Sequence, residues 1–174
     1  GAHQFQNAGA ALAGLRHLGL PEAAYEATVT GATWPARMQK LAQGPLIDAA
    51  PEAELWLDGG HNAACGATLA ESLTRLPKRP TYMICGMLNT KDIAGYLAPV
   101  AGHIEALHAV SIPGEANTLP AATTAAAAKD AGMKAQAAES VSAALSDILR
   151  ETPQARILIC GSLYLAGHIL REHS

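Results

Sequence analysis

Arg156-Ile-Leu-Ile-Cys160 and Thr81-Tyr-Met-Ile-Cys85 are the runs that decide the fold. Each has strand length, is almost continuously apolar, and is followed at once by a glycine, Gly161 or Gly86. An alternating pattern would mark a strand with one wet face, whereas an unbroken one marks a strand covered on both sides. Working outward, strand-like runs fall near 45–48, 54–58, 80–86, 104–111, 134–137 and 155–160. Helical spacing fills 62–76, 92–101, 120–132, 140–151 and 162–172. Strand–helix units of this length predict an α/β fold, a mostly parallel sheet flanked by helices on both faces. Ahead of them, Phe5, Ala8, Leu12, Leu15 and Leu18 line one face of a helix over 4–18. Pro21 opens a second helix through about Val29. Gly31-Ala-Thr-Trp-Pro-Ala-Arg37 then breaks the pattern as a linker, with Trp34 held extended by Pro35.

Composition narrows the function. Of 174 residues, 49% are apolar and only 4% aromatic, so the core is built from Ala, Leu, Ile and Val. A net charge of −3 and a pI near 6.2 argue against nucleic-acid binding, which needs a basic face. The adjacent basic pair Lys78-Arg79 reads as a solvated turn. No apolar run reaches the roughly 18 residues of a membrane helix, and no signal peptide opens the chain, so a cytoplasmic protein with no membrane partner is expected. Cys65, Cys85 and Cys160 form no C-x-x-C motif and fit reduced, structural thiols. The chain opens on Gly1-Ala2 rather than Met, which is expected of a fragment or a processed chain.

In open parallel sheets, ligands bind beyond the carboxyl ends of the strands. The polar oddities of this sequence collect there: Asp58-Gly-Gly-His-Asn62, Gly86-Met-Leu-Asn-Thr-Lys-Asp92, Ile112-Pro-Gly-Glu-Ala-Asn117 and Gly161-Ser-Leu-Tyr164. Asp58 can accept from the vicinal hydroxyls of a ribose, or merely form a turn. His61 can touch phosphate or simply pack, and Asn62 reads as a helix N-cap. Arg37 has the guanidinium fork suited to phosphate, although a lone arginine is ordinarily a surface residue. Asp92 suits a first helical turn, while Lys91 makes sense there if an anion shares the helix end. Ser162 is otherwise an ordinary N-cap. There is no P-loop, no G-x-G-x-x-G after the first strand, no G-x-S-x-G, no H-E-x-x-H and no Cys/His cluster with metal spacing. These residues amount to half a nucleotide site.

Four stretches in order resemble the carboxy-terminal part of folylpolyglutamate synthase and dihydrofolate synthase, of the Mur ligase superfamily. Gly1-Ala-His-Gln-Phe-Gln-Asn-Ala8 is similar to the family's G-x-H-[NQ]-x-x-N-A helix, and Trp34-Pro-Ala-Arg-Met-Gln39 to its W-P-G-R-x-Q junction. Asp58-Gly-Gly-His-Asn62 is similar to D-x-A-H-N, and Met87-Leu-Asn-Thr-Lys-Asp92 with Cys160-Gly-Ser-Leu-Tyr-Leu165 completes the series. The resemblance implies that residues 1–33 are the tail of a central ATPase domain plus linker, and 34–174 a Rossmann-like closing domain. It implies ATP contacts from Asn7 (adenine), Arg37 (phosphates) and Asp58 (ribose). Arg37, His61 and Lys91 would serve catalysis, and Lys91 and Ser162 the glutamate, with no metal ligand in this chain.

The implied reaction is ATP-dependent ligation of L-glutamate to dihydropteroate or folate through an acyl phosphate. ATP and Mg²⁺ would be held mainly by the chain's own N-terminal P-loop domain, with Gly31 to Pro35 as a hinge. The segment alone would be inactive. Another Mur-type amino-acid ligase and a stand-alone nucleotide-sensing domain are the alternatives. Two departures stand out. Ala36 replaces the motif's glycine, which is tolerable where the backbone φ is negative, and Thr90 stands where an acidic residue often precedes the lysine.

Overall fold

The computed structural model describes residues 3–172 and divides into two compact units, one ending at Pro35 and one starting at Ala36. Gly1 and Ala2 of the first motif lie outside the described residues. The first unit is a helical hairpin of α1 (His3–His17) and α2 (Glu22–Gly31). Gly19 ends the first helix at φ 69°, a left-handed conformation that glycine adopts at little cost. Pro21 is the N-cap of α2, one residue before the helix begins. The apolar face of α1 is only partly covered: Ala8, Leu12 and Leu15 are half-buried, whereas Phe5 and, just past the helix end, Leu18 are 83% and 73% exposed.

The second unit carries β1 (Gln39–Lys40), β2 (Glu54–Asp58), β3 (Thr81–Cys85), β4 (Ala106–Ala109), β5 (Ala135–Ala137) and β6 (Arg156–Cys160). They form one sheet in the order β1-β2-β6-β3-β4-β5, parallel throughout except for β1. The last strand thus returns to the middle. There β6 is buried along its whole length, as its unbroken apolar run requires.

Two apolar layers cover the sheet. On one face Leu55, Leu57, Ile84, Ile157 and Ile159 pack against α7 (Val141–Glu151) and α8 (Leu163–Glu172). On the other, Met83, Cys85, Leu107, Leu158 and Cys160 pack against α4 (Ala63–Arg75), α5 (Ile93–Leu97) and α6 (Ala121–Asp130). The helix expected over 92–101 passes after Leu97 into a 3₁₀ turn, Ala98–His103, where Pro99 lacks the N–H that an α-helix needs.

Residues 45–48, expected as a strand, instead form the one-turn helix α3, Pro45–Asp48. Gly44 at φ 103° turns the chain and Pro45 at the first helical position presets its φ. The antiparallel edge is made by β1, a polar pair with no apolar pattern to reveal it. At the amino ends, Glu54 of β2 faces Lys40 of β1 (3.2 Å) and the buried Arg156 of β6 (3.2 Å). Arg156 also donates to the Pro77 carbonyl at 3.0 Å.

Candidate functional site

Register brings three strand ends level. Asp58 pairs with Cys160, and Cys160 with Cys85, so β2, β6 and β3 finish in one row. The next residue on each strand is glycine: Gly59, Gly161 and Gly86. At φ 101°, Gly161 would place a β-carbon 2.8 Å from the Cys85 Sγ and from the Gly86 carbonyl oxygen. A β-carbon on Gly59 would run into the Leu163 side chain. Glycines therefore let three loops leave the sheet side by side.

Asp58 organises the first of these loops. Its Oδ1 accepts from the Gly60 N–H at 2.8 Å and its Oδ2 from the Met38 N–H at 2.9 Å. The Ala36 carbonyl accepts from the Gly59 N–H at 2.8 Å, and the Gln39 Oε1 accepts from the Ala36 N–H at 2.9 Å. Arg37 thus stands at the tip of a turn whose residues on either side are bonded to the Asp58-Gly59 loop. Its side chain is exposed, and it forms no ion pair among the described residues. Ala36 corrects the expectation of negative φ: it sits at φ 55°, and Met38 at φ 46°. A small side chain tolerates this left-handed well at a cost of about 1–2 kcal/mol, which the four bonds around the turn offset.

The turn-forming and ligand-binding readings of Asp58 are compatible. Each oxygen uses one lone pair on the backbone and keeps another for a hydroxyl. His61 is half-buried, and its Nδ1 donates to the Gly59 carbonyl at 2.9 Å, since a carbonyl can only accept. That leaves Nε2 for a ligand. Asn62 caps α4, its side chain accepting from the Cys65 N–H at 2.9 Å. Asp92 caps α5 through the Gly95 N–H at 2.9 Å.

Lys91 is half-buried beside that cap and forms no ion pair among the described residues. Its loop is held by the segment after β4, where the Asn89 N–H donates to Asn117 and the Leu119 N–H to Met87. Ser162 is buried, and its Oγ accepts from the Tyr164 N–H at 3.0 Å, the N-cap of α8. Asn7 lies exposed in α1 of the first unit. The structure therefore brings Arg37, Asp58 and His61 to one loop cluster, with Ser162 one strand along and Lys91 beyond it.

Two contributors carry no chemical signature of their own in the sequence. The Met38 N–H is backbone, and Leu163, the contact between neighbouring loops, is an ordinary apolar residue. Gln39 is different: it falls in the motif around Arg37 and could have been assigned there. Beneath the site, Tyr96 is fully buried, with a hydroxyl that lacks a partner of normal hydrogen-bond geometry. Burial, with the neighbouring Cys160 and Cys85 thiols, pushes its pKa well above that of an ordinary phenol. Burial likewise raises the Cys160 thiol. Both stay neutral, which suits a packed floor. Among the described residues no three His, Cys, Asp or Glu side chains converge to hold a metal, and no helix is long and apolar enough to cross a membrane.

The family described as dihydrofolate synthetase, C-terminal domain, matches residues 47–172. The folylpolyglutamate synthase of Lacticaseibacillus casei is 32% identical over 136 residues, covering 78% of this chain and 29% of that protein. The dihydrofolate synthase/folylpolyglutamate synthase of Escherichia coli is 28% identical over 171 residues, covering 94% of this chain and 37% of that one. The solved structure of E. coli FolC in complex with DHPP and ADP superposes with a TM-score of 0.77 at 25% identity, over 95% of this chain and 38% of that chain. The Mycobacterium tuberculosis folylpolyglutamate synthase complexed with ADP and AMPPCP matches in fold, with a TM-score of 0.71 at 24% identity over 87% of this chain and 35% of that one. The chain spans about a third of the length of these curated relatives.

Proposed function

The chain belongs to the dihydrofolate synthetase C-terminal domain family, and from that premise we propose that it supplies one half of the nucleotide site of an ATP-dependent ligase joining L-glutamate to dihydropteroate or folate. The observation that carries this reading is the turn at Arg37. The backbone on either side of Arg37 is bonded to the loop of Asp58, the carboxylate proposed to take a ribose, and the Arg37 side chain is exposed with no ion pair among the described residues. Relatives solved with ADP support a nucleotide as the ligand.

In this reading Asp58 accepts from the ribose hydroxyls and Arg37 grips the phosphates. His61, with Nδ1 already committed to the Gly59 carbonyl, has Nε2 left to meet the phosphates. Asn7 reaches the adenine. Lys91 and Ser162 serve the glutamate, Lys91 by charge and Ser162 by its hydroxyl proton. A carboxylate oxygen of the pterin substrate attacks the γ-phosphorus, and the bond to the ADP oxygen breaks. The glutamate nitrogen then attacks the acyl carbon, and phosphate leaves as the amine sheds its proton. Arg37 and Lys91 act by offsetting charge that builds up on the transferred group.

Mg²⁺ would supply neutralisation of phosphate charge; among the described residues no three His, Cys, Asp or Glu side chains converge to hold it, and its ligands are proposed to lie in the central domain. The first unit is proposed as the tail of that central domain. A hairpin exposing Phe5 and Leu18 has no core of its own, which supports the assignment.

The test is ADP release by the full-length enzyme carrying this segment, with ATP and Mg²⁺. Release that requires both glutamate and either dihydropteroate or a folate establishes the ligase. Release indifferent to the pterins removes the folate assignment, and turnover by the 174-residue chain alone contradicts the division of the site.

A further inference from the structure

The turn that presents Arg37 is anchored from two sides. From the neighbouring loop, the Asp58 Oδ2 accepts from the Met38 N–H at 2.9 Å and the Gly59 N–H donates to the Ala36 carbonyl at 2.8 Å. From the turn's own far end, the Gln39 Oε1 accepts from the Ala36 N–H at 2.9 Å. In the proposed function Asp58 also receives a ribose, so that anchor is shared with the ligand. Gln39 has no such second task.

Backbone pairing fixes where the Gln39 side chain starts. Gln39 opens β1 in register with Leu57, the residue before Asp58. From there the half-buried side chain reaches back three residues to Ala36. A backbone N–H can only donate, so the amide must turn its oxygen towards it. Ala36 is 2% exposed, so no water is at hand to replace that oxygen, and a buried donor left bare costs more than the bond contributes.

The bond bears directly on where Arg37 points. The φ of Ala36 is the torsion between its N–H and everything that follows, Arg37 first of all. That φ is 55°, and Met38 on the other side of Arg37 stands at 46°. Two left-handed residues around one arginine persist only where their surroundings over-determine them. Without the Gln39 acceptor, the Ala36 N–H turns to seek another partner, φ relaxes, and the guanidinium swings with it.

We propose that Gln39 is a positioning residue for Arg37: by accepting from the Ala36 N–H it holds the left-handed turn and so aims the guanidinium at the nucleotide phosphates. The proposal rests on the ligase reading above and adds to it a residue that acts through Arg37 alone.

The experiment measures ADP release by the full-length enzyme, with ATP and then glutamate varied, in wild type, Gln39→Met, Gln39→Glu, Arg37→Ala and the double variant Gln39→Met/Arg37→Ala. Methionine keeps the length and loses the acceptor, whereas glutamate keeps an acceptor for the N–H. Gln39→Met should lower kcat/KM for ATP about tenfold or more, the scale of a misplaced group, with the KM for glutamate within about twofold of wild type. Gln39→Glu should stay within about threefold of wild type, because the bond survives. In the Arg37→Ala background, Gln39→Met should lower release by less than about twofold, since no guanidinium remains to be aimed. Wild-type release from Gln39→Met, where Arg37→Ala collapses, overturns the proposal and leaves the ligase reading standing. A further fall of about tenfold in the double variant assigns Gln39 to general integrity and also overturns it. So does a fall of about tenfold or more in Gln39→Glu, the arm that decides the matter if Gln39→Met does not fold. Release untouched by Arg37→Ala removes the nucleotide role of the turn and this proposal together.

Discussion

At Asp58 a single carboxylate closes the turn that presents Arg37 and, in the proposed function, holds a ribose. The two residues should therefore respond differently to truncation. Asp58→Ala leaves the Met38 and Gly60 N–H groups without acceptors and should cost about 2 kcal/mol in urea unfolding. Arg37→Ala removes an exposed side chain with no ion pair among the described residues and should change stability by less than about 0.5 kcal/mol. The neighbouring Ala36 carries a sharper test of backbone geometry. Ala36→Gly relieves left-handed strain but loses a buried methyl and rigidity in the unfolded chain, so it should stay within about 1 kcal/mol of wild type. Ala36→Val puts a β-branched side chain at positive φ in a buried position and should destabilise by on the order of 2 kcal/mol or more. Much of this cluster was legible in the sequence, because carboxylate, guanidinium and imidazole announce themselves by type. The positive φ at Ala36 was not, since nothing in a Pro-Ala-Arg stretch distinguishes it from an extended turn. It is imposed by partners 20 residues away, such as the Asp58 carboxylate.

Strands and helices show where periodicity works and where it stops. Long apolar runs such as β3 and β6, and helices such as α7, stood out because burial demands an unbroken or 3.6-period pattern. The failures were short. Leu46-Ile47 looked like a strand but is half of a single helical turn after Pro45, and β1 is two polar residues recruited to an edge by β2. The glycine row belongs to this scale too. Gly161→Ala combines a strained φ with a contact on backbone, so it should cost at least about 2 kcal/mol by thermal or urea unfolding.

The Glu54 network joins three strands and gives a pH dependence. Burial alone would raise the Glu54 carboxyl, but Lys40, Arg79 and Arg156 hold it below its ordinary value. A depressed folded pKa contributes stability that is present above the ordinary carboxylate pKa near 4.5 and is lost as pH falls through the folded value. Glu54→Gln should therefore be less stable than wild type at neutral pH. The difference should shrink below about pH 4.5, read from unfolding midpoints across a pH series.

The whole molecule is two units of unequal self-sufficiency. The α/β unit has two buried layers, whereas α2 buries no residue and Phe5, Leu18 and Val29 of the first unit stand exposed. In the isolated chain, amides of β6 should be among the slowest to exchange with solvent, and those of α1 and α2 among the fastest, as mass spectrometry of exchanged peptides would report. That asymmetry fits a segment spanning about a third of its relatives and proposed to complete a site begun elsewhere. The most direct test of that central claim is ADP release by the full-length enzyme carrying Arg37→Ala, measured beside its unfolding curve. Release should fall at least about a hundredfold, the scale of a lost phosphate-stabilising group, while the unfolding midpoint stays where it was. Wild-type release from a stably folded Arg37→Ala enzyme would show that the turn held by Asp58 has no part in the nucleotide chemistry.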